Sequence, residues 1–438
     1  MTRGSPLGFR TKGRDAVVAD GPVAALDLGS TKISCVIAEP SERFVQGQDY
    51  RNALRITGLG TTASRGIKNG AISNIEEAER AIRIAVDAAE RMAKQAVRAV
   101  HVNVSGGRPA SMSSSGHVKT QTGVVSPRDI EHAVSAAIGR ADIGKRHILH
   151  LNPVGYSLDG VTADRPPLGM HGEVLGVDIG IVTLDASHLR NLTLAIERAH
   201  LKVAGVALSA YAAGRGTLLN DELAMGTVVI DMGGGTTSYA LFRNGNLAAS
   251  GSVAVGAAHV TADIAQGLAT TIAHAERLKT MFGSVLPFAH EDREMLAVPL
   301  LGERGVDAIQ QVPKHVLNGI ILPRVEELIE MVREDLSRHA PPEVITRVVL
   351  TGGGGQLQGV RDLAAHHFGC PVRIGQPILG QGAPEAAQQG GMAVSAGLLA
   401  LSLKPDRRIS MPTEAREMLE RQQMGYARRV GRWLKEAL

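Results

Sequence analysis

Cysteine, aromatic residues and long hydrophobic runs are all scarce in this 438-residue chain. The two cysteines, Cys35 and Cys370, lie far apart without a CxxC spacing, which excludes a disulfide scaffold and a zinc cluster and is typical of a reducing compartment. Aromatic residues make up only 3%, so the core must consist of aliphatic side chains. No apolar run reaches the roughly 20 residues of a membrane-spanning helix, and residues 386–403 are interpreted as a buried helix.

The remaining composition is that of a globular protein, with 44% hydrophobic and 21% charged residues. The length predicts two or three domains or one large duplicated body. The 51 glycines indicate many tight turns or close backbone contacts. Residues 1–20 lack the apolar stretch of a secretory signal and are interpreted as a flexible basic arm.

The net charge of +4 is concentrated at the two ends. Residues 1–14 carry four basic residues and no acid, and residues 421–438 carry five basic residues and one acid. The other 38 basic and 42 acidic residues leave the body with a net charge of −4. Nucleic acid is therefore not expected as a partner, and an anionic surface contacted by a tail is favoured.

A glycine-rich loop that begins with Asp occurs twice, each time between two short apolar runs. The first loop covers 27–32 (Asp-Leu-Gly-Ser-Thr-Lys) and the second covers 231–237 (Asp-Met-Gly-Gly-Gly-Thr-Thr). A third apolar run, 348–350, ends in Thr351 and the glycines 352–355. Two copies at this long spacing predict a duplicated domain that contributes one loop from each half.

Helical periodicity alternates with these apolar runs, which predicts an α/β fold. Helices are predicted at Ile75–Gln95, Pro127–Ile143, Ser187–Ala199, Ala262–Phe282 and Pro323–His339.

The loops have the composition of a phosphate site. Glycines let the backbone approach a phosphate chain closely, hydroxyls add donors, and an Asp can hold the water ligands of a bridging Mg²⁺. Lys32 would neutralise a β- or γ-phosphate. The alternative for each loop is a simple tight hairpin. The candidate ligands of ATP are Asp27, Gly29, Ser30, Thr31, Lys32, Asp231, Gly233, Gly234, Gly235, Thr236, Thr237, Gly352, Gly353, Gly354 and Gly355, with Asp27 and Asp231 also holding Mg²⁺ through water.

Two other phosphate-binding patterns are set aside. The chain has no GxxxxGK[ST] sequence, which excludes a P-loop NTPase. Residues 58–63 match a loose dinucleotide fingerprint, but Gly66 and Gly70 would break the helix that should receive the pyrophosphate.

The two Asp loops and the run 350–354 resemble the phosphate and adenosine motifs of the actin, sugar kinase and DnaK-type superfamily. Within it, the segments 64–68, 169–172 and 255–265 and the basic C-terminus resemble the FtsA family of bacterial cell division proteins. The resemblance extends from about Val23 to Leu438. It implies an actin-like duplicated ATPase fold with two lobes, an extra FtsA-type subdomain and a C-terminal amphipathic helix.

The resemblance also implies an organisation into segments. They are a flexible basic arm at 1–20, a first lobe at 21–106 and 183–208, the extra subdomain at 107–182, the core of the second lobe at 209–262 and 340–403, a second-lobe subdomain at 263–339, a linker at 404–420 and a membrane-targeting helix at 421–438.

Glu276 and Lys279 fall in a segment that resembles the family's ribose and adenine site. Without the resemblance they would be interpreted as an ordinary i,i+3 surface pair. DnaK-type chaperones carry a Glu that organises the attacking water, whereas the corresponding segment here, 208–213, has no carboxylate. We therefore expect ATP binding with slow or negligible hydrolysis, because fast hydrolysis requires a positioned water.

The C-terminal 18 residues have the pattern of an interfacial membrane helix. The alternative is a helix that docks on the protein's own core, but its polar face is nearly all of one sign. The apolar positions are Tyr426, Val430, Trp433, Leu434 and Leu438, and the basic positions are Arg428, Arg429, Arg432 and Lys435.

The function implied by the resemblance is that of a tether on the cytoplasmic face of the inner membrane. Such a protein would self-assemble into an actin-like polymer and would bind anionic lipids, the C-terminal peptide of FtsZ and downstream division proteins. Lys314 and Arg324 are the candidate contacts for the acidic FtsZ peptide, and the alternative for both is a solvated helix face. The competing functions are a DnaK-like ATPase or chaperone and another actin-like assembly adaptor.

Overall fold

A computed structural model describes residues 21–41, 50–163, 165–286, 294–302 and 309–403. The basic arm at 1–20, the predicted linker at 404–420 and the predicted membrane helix at 421–438 lie outside the described residues.

The helices within the described ranges are α1 (Ile75–Ala93), α2 (Pro127–Arg140), α3 (Ala186–Arg198), α4 (Ser209–Thr217), α5 (Asn220–Ala224), α6 (Ala257–Gly267), α7 (Ile272–Phe282), α8 (Lys314–Ser337), α9 (Val360–Phe368) and α10 (Ala393–Leu403). The strands are β1 (Val23–Leu28), β2 (Lys32–Pro40), β3 (Leu54–Ala63), β4 (Ile67–Lys68), β5 (Ala71–Ile72), β6 (Ala99–Val104), β7 (Ala110–Lys119), β8 (His147–Leu158), β9 (Val161–Ala163), β10 (Val174–Leu184), β11 (Lys202–Leu208), β12 (Met225–Met232), β13 (Thr237–Arg243), β14 (Asn246–Val253), β15 (Met295–Pro299), β16 (Ile309–Pro313), β17 (Arg347–Thr351) and β18 (Val372–Ile374).

Two five-stranded sheets of the same topology form the two lobes. The first has the order β3-β2-β1-β6-β11 and the second has the order β14-β13-β12-β17-β18. In each sheet three antiparallel strands are followed by two strands that run parallel to the first. The duplicated two-lobed fold predicted from the repeated loops is thereby confirmed. The first Asp loop connects β1 with β2, and the second connects β12 with β13.

The glycines at 58 and 60 serve helix packing. Both lie in β3, and a Cβ on Gly58 or Gly60 would come within 2.3 Å of the carbonyl oxygen of Ala89 or Ala85 in α1. The strand and helix can approach this closely only because neither glycine has a side chain. Residues 58–63, which match the loose dinucleotide fingerprint, therefore lie within β3 and do not form a phosphate-binding turn.

A separate four-stranded sheet of order β7-β10-β8-β9 is inserted into the first lobe between β6 and α3. Helix α2 packs on one face of this sheet, where Gly116 of β7 lies against the backbone of Ala133. The capping box between Ser126 and Asp129 begins α2. This sheet and helix extend from Ala110 to Leu184, in the region for which the sequence predicts an extra subdomain at 107–182.

The prediction of a single helix at Ala262–Phe282 is wrong, because α6 ends at Gly267 and α7 begins at Ile272. Ala269 adopts a left-handed φ of 47°, and the Thr270 hydroxyl donates to the Pro299 carbonyl at 2.6 Å. Thr271 then caps α7 by accepting a hydrogen bond from the His274 N–H. The predicted start of the helix at Pro323 is also wrong, because α8 begins at Lys314.

Helices α4 and α10 pack against each other between the two sheets. A Cβ on Gly397 would lie 1.6 Å from the Ala212 carbonyl oxygen, and one on Gly216 would lie 2.4 Å from that of Ala393. The buried helix predicted at 386–403 is shorter than expected. Two 3-10 turns, Glu385–Ala387 and Gly390–Met392, precede α10, which begins at Ala393. No described helix is both long enough and apolar enough to cross a membrane.

Candidate nucleotide site

A cleft of about 830 Å³ lies between the lobes and is lined by residues from both. The sequence-predicted residues that line it are Asp27, Gly29, Ser30, Thr31, Lys32, Asp231, Gly233, Gly234, Gly235, Thr236, Glu276, Lys279, Gly352, Gly353 and Gly354. Thr237 and Gly355 do not line it. Thr236, in the loop, lines the cleft, whereas Thr237 is the first residue of β13 and is buried. Gly355 is buried in a 3-10 turn behind the third loop.

The two Asp loops contact each other across the cleft. A Cβ on Gly234 would lie 2.3 Å from Thr31 Cγ2, and a Cβ on Gly235 would lie 2.5 Å from Ser30 Oγ. These distances are far shorter than any real Cβ contact, so the approach requires glycine on one side. The structure thus brings together two loops that lie about two hundred residues apart in the sequence.

The third glycine loop packs against the second Asp loop. Gly352 has a φ of +81°, and a Cβ there would lie 2.6 Å from Asp231 Oδ1. Glycine is needed at this position both for the left-handed backbone and for the contact. Register explains the proximity, because Asp231 pairs with Thr351 in the parallel strands β12 and β17.

Two buried carboxylates dominate the electrostatics of the cleft. Burial raises the pKa of Asp27 to about 6 in spite of Lys32 and a hydrogen bond from Asn103, which both lower it. Burial, and then repulsion from Asp27, raises the pKa of Asp231 to about 7. The two side chains therefore resist being ionised at the same time. A cation placed near both would stabilise their ionised forms.

Lys32 links the first Asp loop to the segment that precedes α10. Its Nζ donates to the Gly391 carbonyl at 3.3 Å and lies 3.4 Å from Met392 Sδ. The ammonium group is therefore held at the edge of the cleft, which Gly390 and Gly391 also line.

Glu276, Lys279 and Thr261 form one hydrogen-bonded group on the opposite wall. Lys279 Nζ donates to Glu276 Oε2 at 2.7 Å, to Thr261 Oγ1 at 2.8 Å and to the Ala257 carbonyl at 3.0 Å. Lys279 is buried, whereas the Glu276 side chain is about half exposed. Lys279 therefore holds α6, α7 and Glu276 in place, and Glu276 presents its carboxylate to the cleft.

Sequence reasoning missed Asn103 and Ser209, which line the floor of the cleft. Asn103 Oδ1 accepts a hydrogen bond from the Leu28 N–H at 2.7 Å, and its Nδ2 donates to Ser209 Oγ at 3.0 Å. The pairing of Leu26 with Val102 in parallel strands places Asn103 beside the first Asp loop. Asn103 is a polar residue between Val102 and Val104 in the sequence, and this interruption of an apolar run is the local signal that could have indicated it.

The candidate contacts for a partner peptide lie outside the cleft, on α8. Lys314 Nζ pairs with Glu294 Oε2 at 3.0 Å. Arg324 pairs with Asp263 Oδ2 and with Glu327 Oε2, each at 2.5 Å. The candidate membrane residues at 426–438 lie outside the described part of the chain.

Two lobes of one topology around a cleft lined by paired Asp-Gly loops define the actin-like ATPase fold. Solved structures agree. One is a PilM-PilN type IV pilus biogenesis complex, with a TM-score of 0.59, 16% identity, and coverage of 87% of this chain and 99% of the other. Another is MreB5 of Spiroplasma citri bound to ADP, with a TM-score of 0.52, 16% identity, and coverage of 89% and 99%. Identities this low show the fold alone.

Sequence comparison shows the family. A family model for cell division protein FtsA matches residues 228–397, and one for the SHS2 domain inserted in FtsA matches residues 106–183. The FtsA of Agrobacterium fabrum (strain C58) is 38% identical over 420 residues, which cover 95% of this chain and 94% of the relative. The FtsA of Escherichia coli (strain K12) is 26% identical over 422 residues, with coverage of 94% and 97%. The chain belongs to the FtsA family of cell division proteins.

Proposed function

We propose that the cleft binds ATP with Mg²⁺ and that the protein uses this site while it tethers FtsZ to the inner membrane. The observation that carries the nucleotide assignment is the contact between the two Asp loops. Gly234 and Gly235 leave a backbone-lined cradle beside Ser30 and Thr31, and such a cradle suits a phosphate chain.

The donor set also fits a hydrated divalent cation. Asp27 and Asp231 are both buried, and their carboxylates disfavour joint ionisation in the absence of a cation. Bound Mg²⁺ would supply the positive charge that neutralises this pair and the phosphates. Asp27 and Asp231 would hold it through its water ligands, and Lys32 would add a charge from the first lobe.

Slow turnover is part of the same proposal. Among the described residues that line the cleft, the carboxylates are Asp27, Asp231 and Glu276. The first turn of α4, where DnaK-type proteins position the attacking water, offers Ser209, whose hydroxyl already binds Asn103. A site of this kind clamps a nucleotide without aligning a water in line with the γ-phosphate.

Tethering requires a contact for FtsZ, and α8 with the neighbouring hairpin supports one. Lys314 lies at the start of α8, directly after Pro313, whose strand partner is the exposed Met295, and the side chain of Val316 on the same turn of α8 is also exposed. A cation among apolar side chains suits a peptide that carries both acidic and apolar residues. Lys314 is paired with Glu294, and Arg324 is paired with both Asp263 and Glu327, so an acidic peptide would compete with these carboxylates. Arg324 would in addition hold α8 against α6.

The membrane contact would come from residues 421–438. Each basic side chain near an anionic leaflet contributes about 1 kcal/mol, so one tail binds weakly and reversibly. Several tails on one actin-like polymer would bind strongly through effective concentration. Self-assembly would therefore control membrane attachment.

Co-sedimentation with anionic liposomes tests the tether. Full-length protein is compared with a truncation after Gln423, with ATP and FtsZ from the same organism present. We expect only the full-length chain to carry FtsZ down. A variant of full length with Arg428→Glu and Arg429→Glu is the matched control for chain length and should behave like the truncation. If all three forms remain in the supernatant, the tether is refuted.

A further inference from the structure

A short hairpin, β4–β5, lies over the junction of the two Asp loops. It falls in the segment at 64–68 and just beyond, which no part of the proposed function uses. Its turn is Asn69-Gly70, with left-handed φ values of 48° and 73°, as in a type I′ turn. We propose that this hairpin is a relay: it couples nucleotide binding in the cleft to the neck of the inserted subdomain. The neck consists of residues 105–108, where the chain leaves the first lobe, and Asp185, where it returns.

The tip of the hairpin contacts both Asp loops. The Gly70 N–H donates to Ser30 Oγ of the first loop at 2.9 Å. A Cβ on Gly235 of the second loop would lie 3.0 Å from Asn69 Cα. Any change in the distance between the two loops therefore changes the surroundings of the tip.

The other side of the tip contacts the start of the inserted subdomain. A Cβ on Gly70 would lie 2.7 Å from both the Gly106 backbone nitrogen and Ser105 Oγ. Gly106 and Gly107 in turn pack against the imidazole of His188 in α3, at 3.0 and 2.8 Å from ideal Cβ positions. The contacts thus continue from the cleft to the neck without a gap.

The neck has the features of a pivot. The chain leaves the first lobe through Gly107 and Arg108, which have consecutive left-handed φ values of 79° and 49°. It returns at Asp185, whose N–H donates to the Gly107 carbonyl at 3.0 Å. The Asp185 carboxylate pairs with Arg108 at 2.7 Å and with Arg146 of the subdomain at 3.0 Å.

The second lobe also reaches the neck. Ser252 in β14 donates to the Ser105 carbonyl at 3.0 Å. Ser111 Oγ donates to the Ser250 carbonyl at 2.6 Å and accepts from the Ser250 N–H at 2.7 Å. The inserted subdomain is therefore held by both lobes, and a change in the angle between the lobes would reach it through β14 and the hairpin together.

Hydrogen–deuterium exchange of the full chain tests the relay, which rests on the nucleotide binding proposed above. The probe is AMP-PNP with Mg²⁺ at saturation, and the readout is exchange in peptides covering 105–111 and 183–189. Exchange reports local opening. We expect nucleotide to slow exchange at the neck of the wild type, because a bound phosphate chain would fix the loops around the hairpin tip.

Gly70→Ala should still bind the nucleotide but lose this difference, since the added methyl forces the tip away from Gly106. Gly245→Ala is the matched control. It lies in an Asn-Gly turn of the same kind, with a φ of 77°, and a Cβ there meets nothing within 4 Å. This control should keep the full nucleotide-dependent difference.

His188→Ala loosens the far end of the relay without touching the cleft and should lose the difference as well. It decides the question if Gly70→Ala does not fold. The relay is overturned if wild-type protein binds AMP-PNP, measured by calorimetry, with no change at the neck, or if the variants keep the full change. Absence of binding in calorimetry would instead refute the nucleotide site, and the relay with it.

Discussion

Arg51 and Arg373 cap the same helix end from opposite lobes. Arg51 Nη1, from the first lobe, donates to the Leu218 carbonyl at 2.8 Å, and Arg373 Nη2, from β18 of the second lobe, donates to the Thr217 carbonyl at 3.0 Å. Both carbonyls lie at the C-terminus of α4, where positive charge is favourable. One helix between the lobes is thus anchored to each of them by a separate guanidinium group.

Replacement of Arg51 should destabilise the whole protein. Arg51→Met removes a buried donor and leaves the end of α4 without it, at a cost of about 1–3 kcal/mol. Urea unfolding measures the loss. The control is Arg55→Ala, which removes an exposed ion pair with Glu39 and should change stability by less than about 0.5 kcal/mol. Equal losses in the two variants would contradict the assigned role of Arg51.

The contribution of Asp27 and Asp231 to stability without nucleotide should fall as the pH rises from about 4 to about 7. The pKa values of Asp27 and Asp231 rise on folding from 3.8 to about 6 and about 7. In this window the two carboxyls therefore retain protons in the folded protein that they have released in the unfolded chain, and their contribution to the slope of unfolding free energy with pH is negative.

Asp231→Asn isolates this effect. The stability of the variant minus that of the wild type should increase with pH across the window and then level off. Thermal unfolding in EDTA at a series of pH values gives this difference. A flat difference would show that the carboxylate titrates normally in the folded protein.

Separating the two Asp loops should weaken nucleotide binding. Gly234→Ala places a methyl group against Thr31, and we expect the Kd for Mg·ATP to rise about tenfold or more, equivalent to 1.4 kcal/mol. Calorimetry measures the Kd. Gly319→Ala, in α8, has open space around its Cβ and should bind like the wild type. Unchanged affinity in Gly234→Ala would place the phosphates elsewhere.

ATP turnover should be below about 1 s⁻¹, the lower end of ordinary enzyme rates. Phosphate release with Mg·ATP, with and without liposomes and FtsZ, measures it. Asp231→Asn supplies the background rate. Faster turnover would favour an ATPase cycle of the DnaK type over a tether.

The tail should bind membranes through both charge and Trp433. Trp433→Ala would lower membrane affinity by up to about 3 kcal/mol if the ring is buried in the interface. Raising the salt concentration should weaken the remaining binding, since charge attraction is screened. Liposome titration followed by sedimentation separates the two effects. Binding that is insensitive to both changes would indicate another anchor.

The loops could be predicted from sequence because their chemistry is local. Asp27 and Asp231 are each the penultimate residue of an apolar strand, directly before a glycine-rich turn. The repeated strand pattern then predicts that both loops reach one cleft. Asn103 could not be predicted in this way, because it meets the first loop only through the parallel pairing of β1 with β6.

Helix boundaries failed where tertiary contacts outweigh local rules. Proline usually marks the start of a helix, yet α8 passes through Pro323 because Leu317 and Ile321, on the preceding turns, are buried in the core of the second lobe. The break before α7 was hidden for the opposite reason. The apolar pattern continues across it, while the left-handed Ala269 and the bond from Thr270 to Pro299 depend on packing.

The hydrogen bond between Asp185 and Gly107 means that the inserted subdomain begins and ends at one point of the first lobe. The lobe therefore needs only a tight turn to close without it, and a foreign domain with neighbouring termini would fit the same opening. Such an exchange would leave the chain path of the first lobe unchanged and would cost the hydrogen bonds between Ser111 and Ser250 of the second lobe.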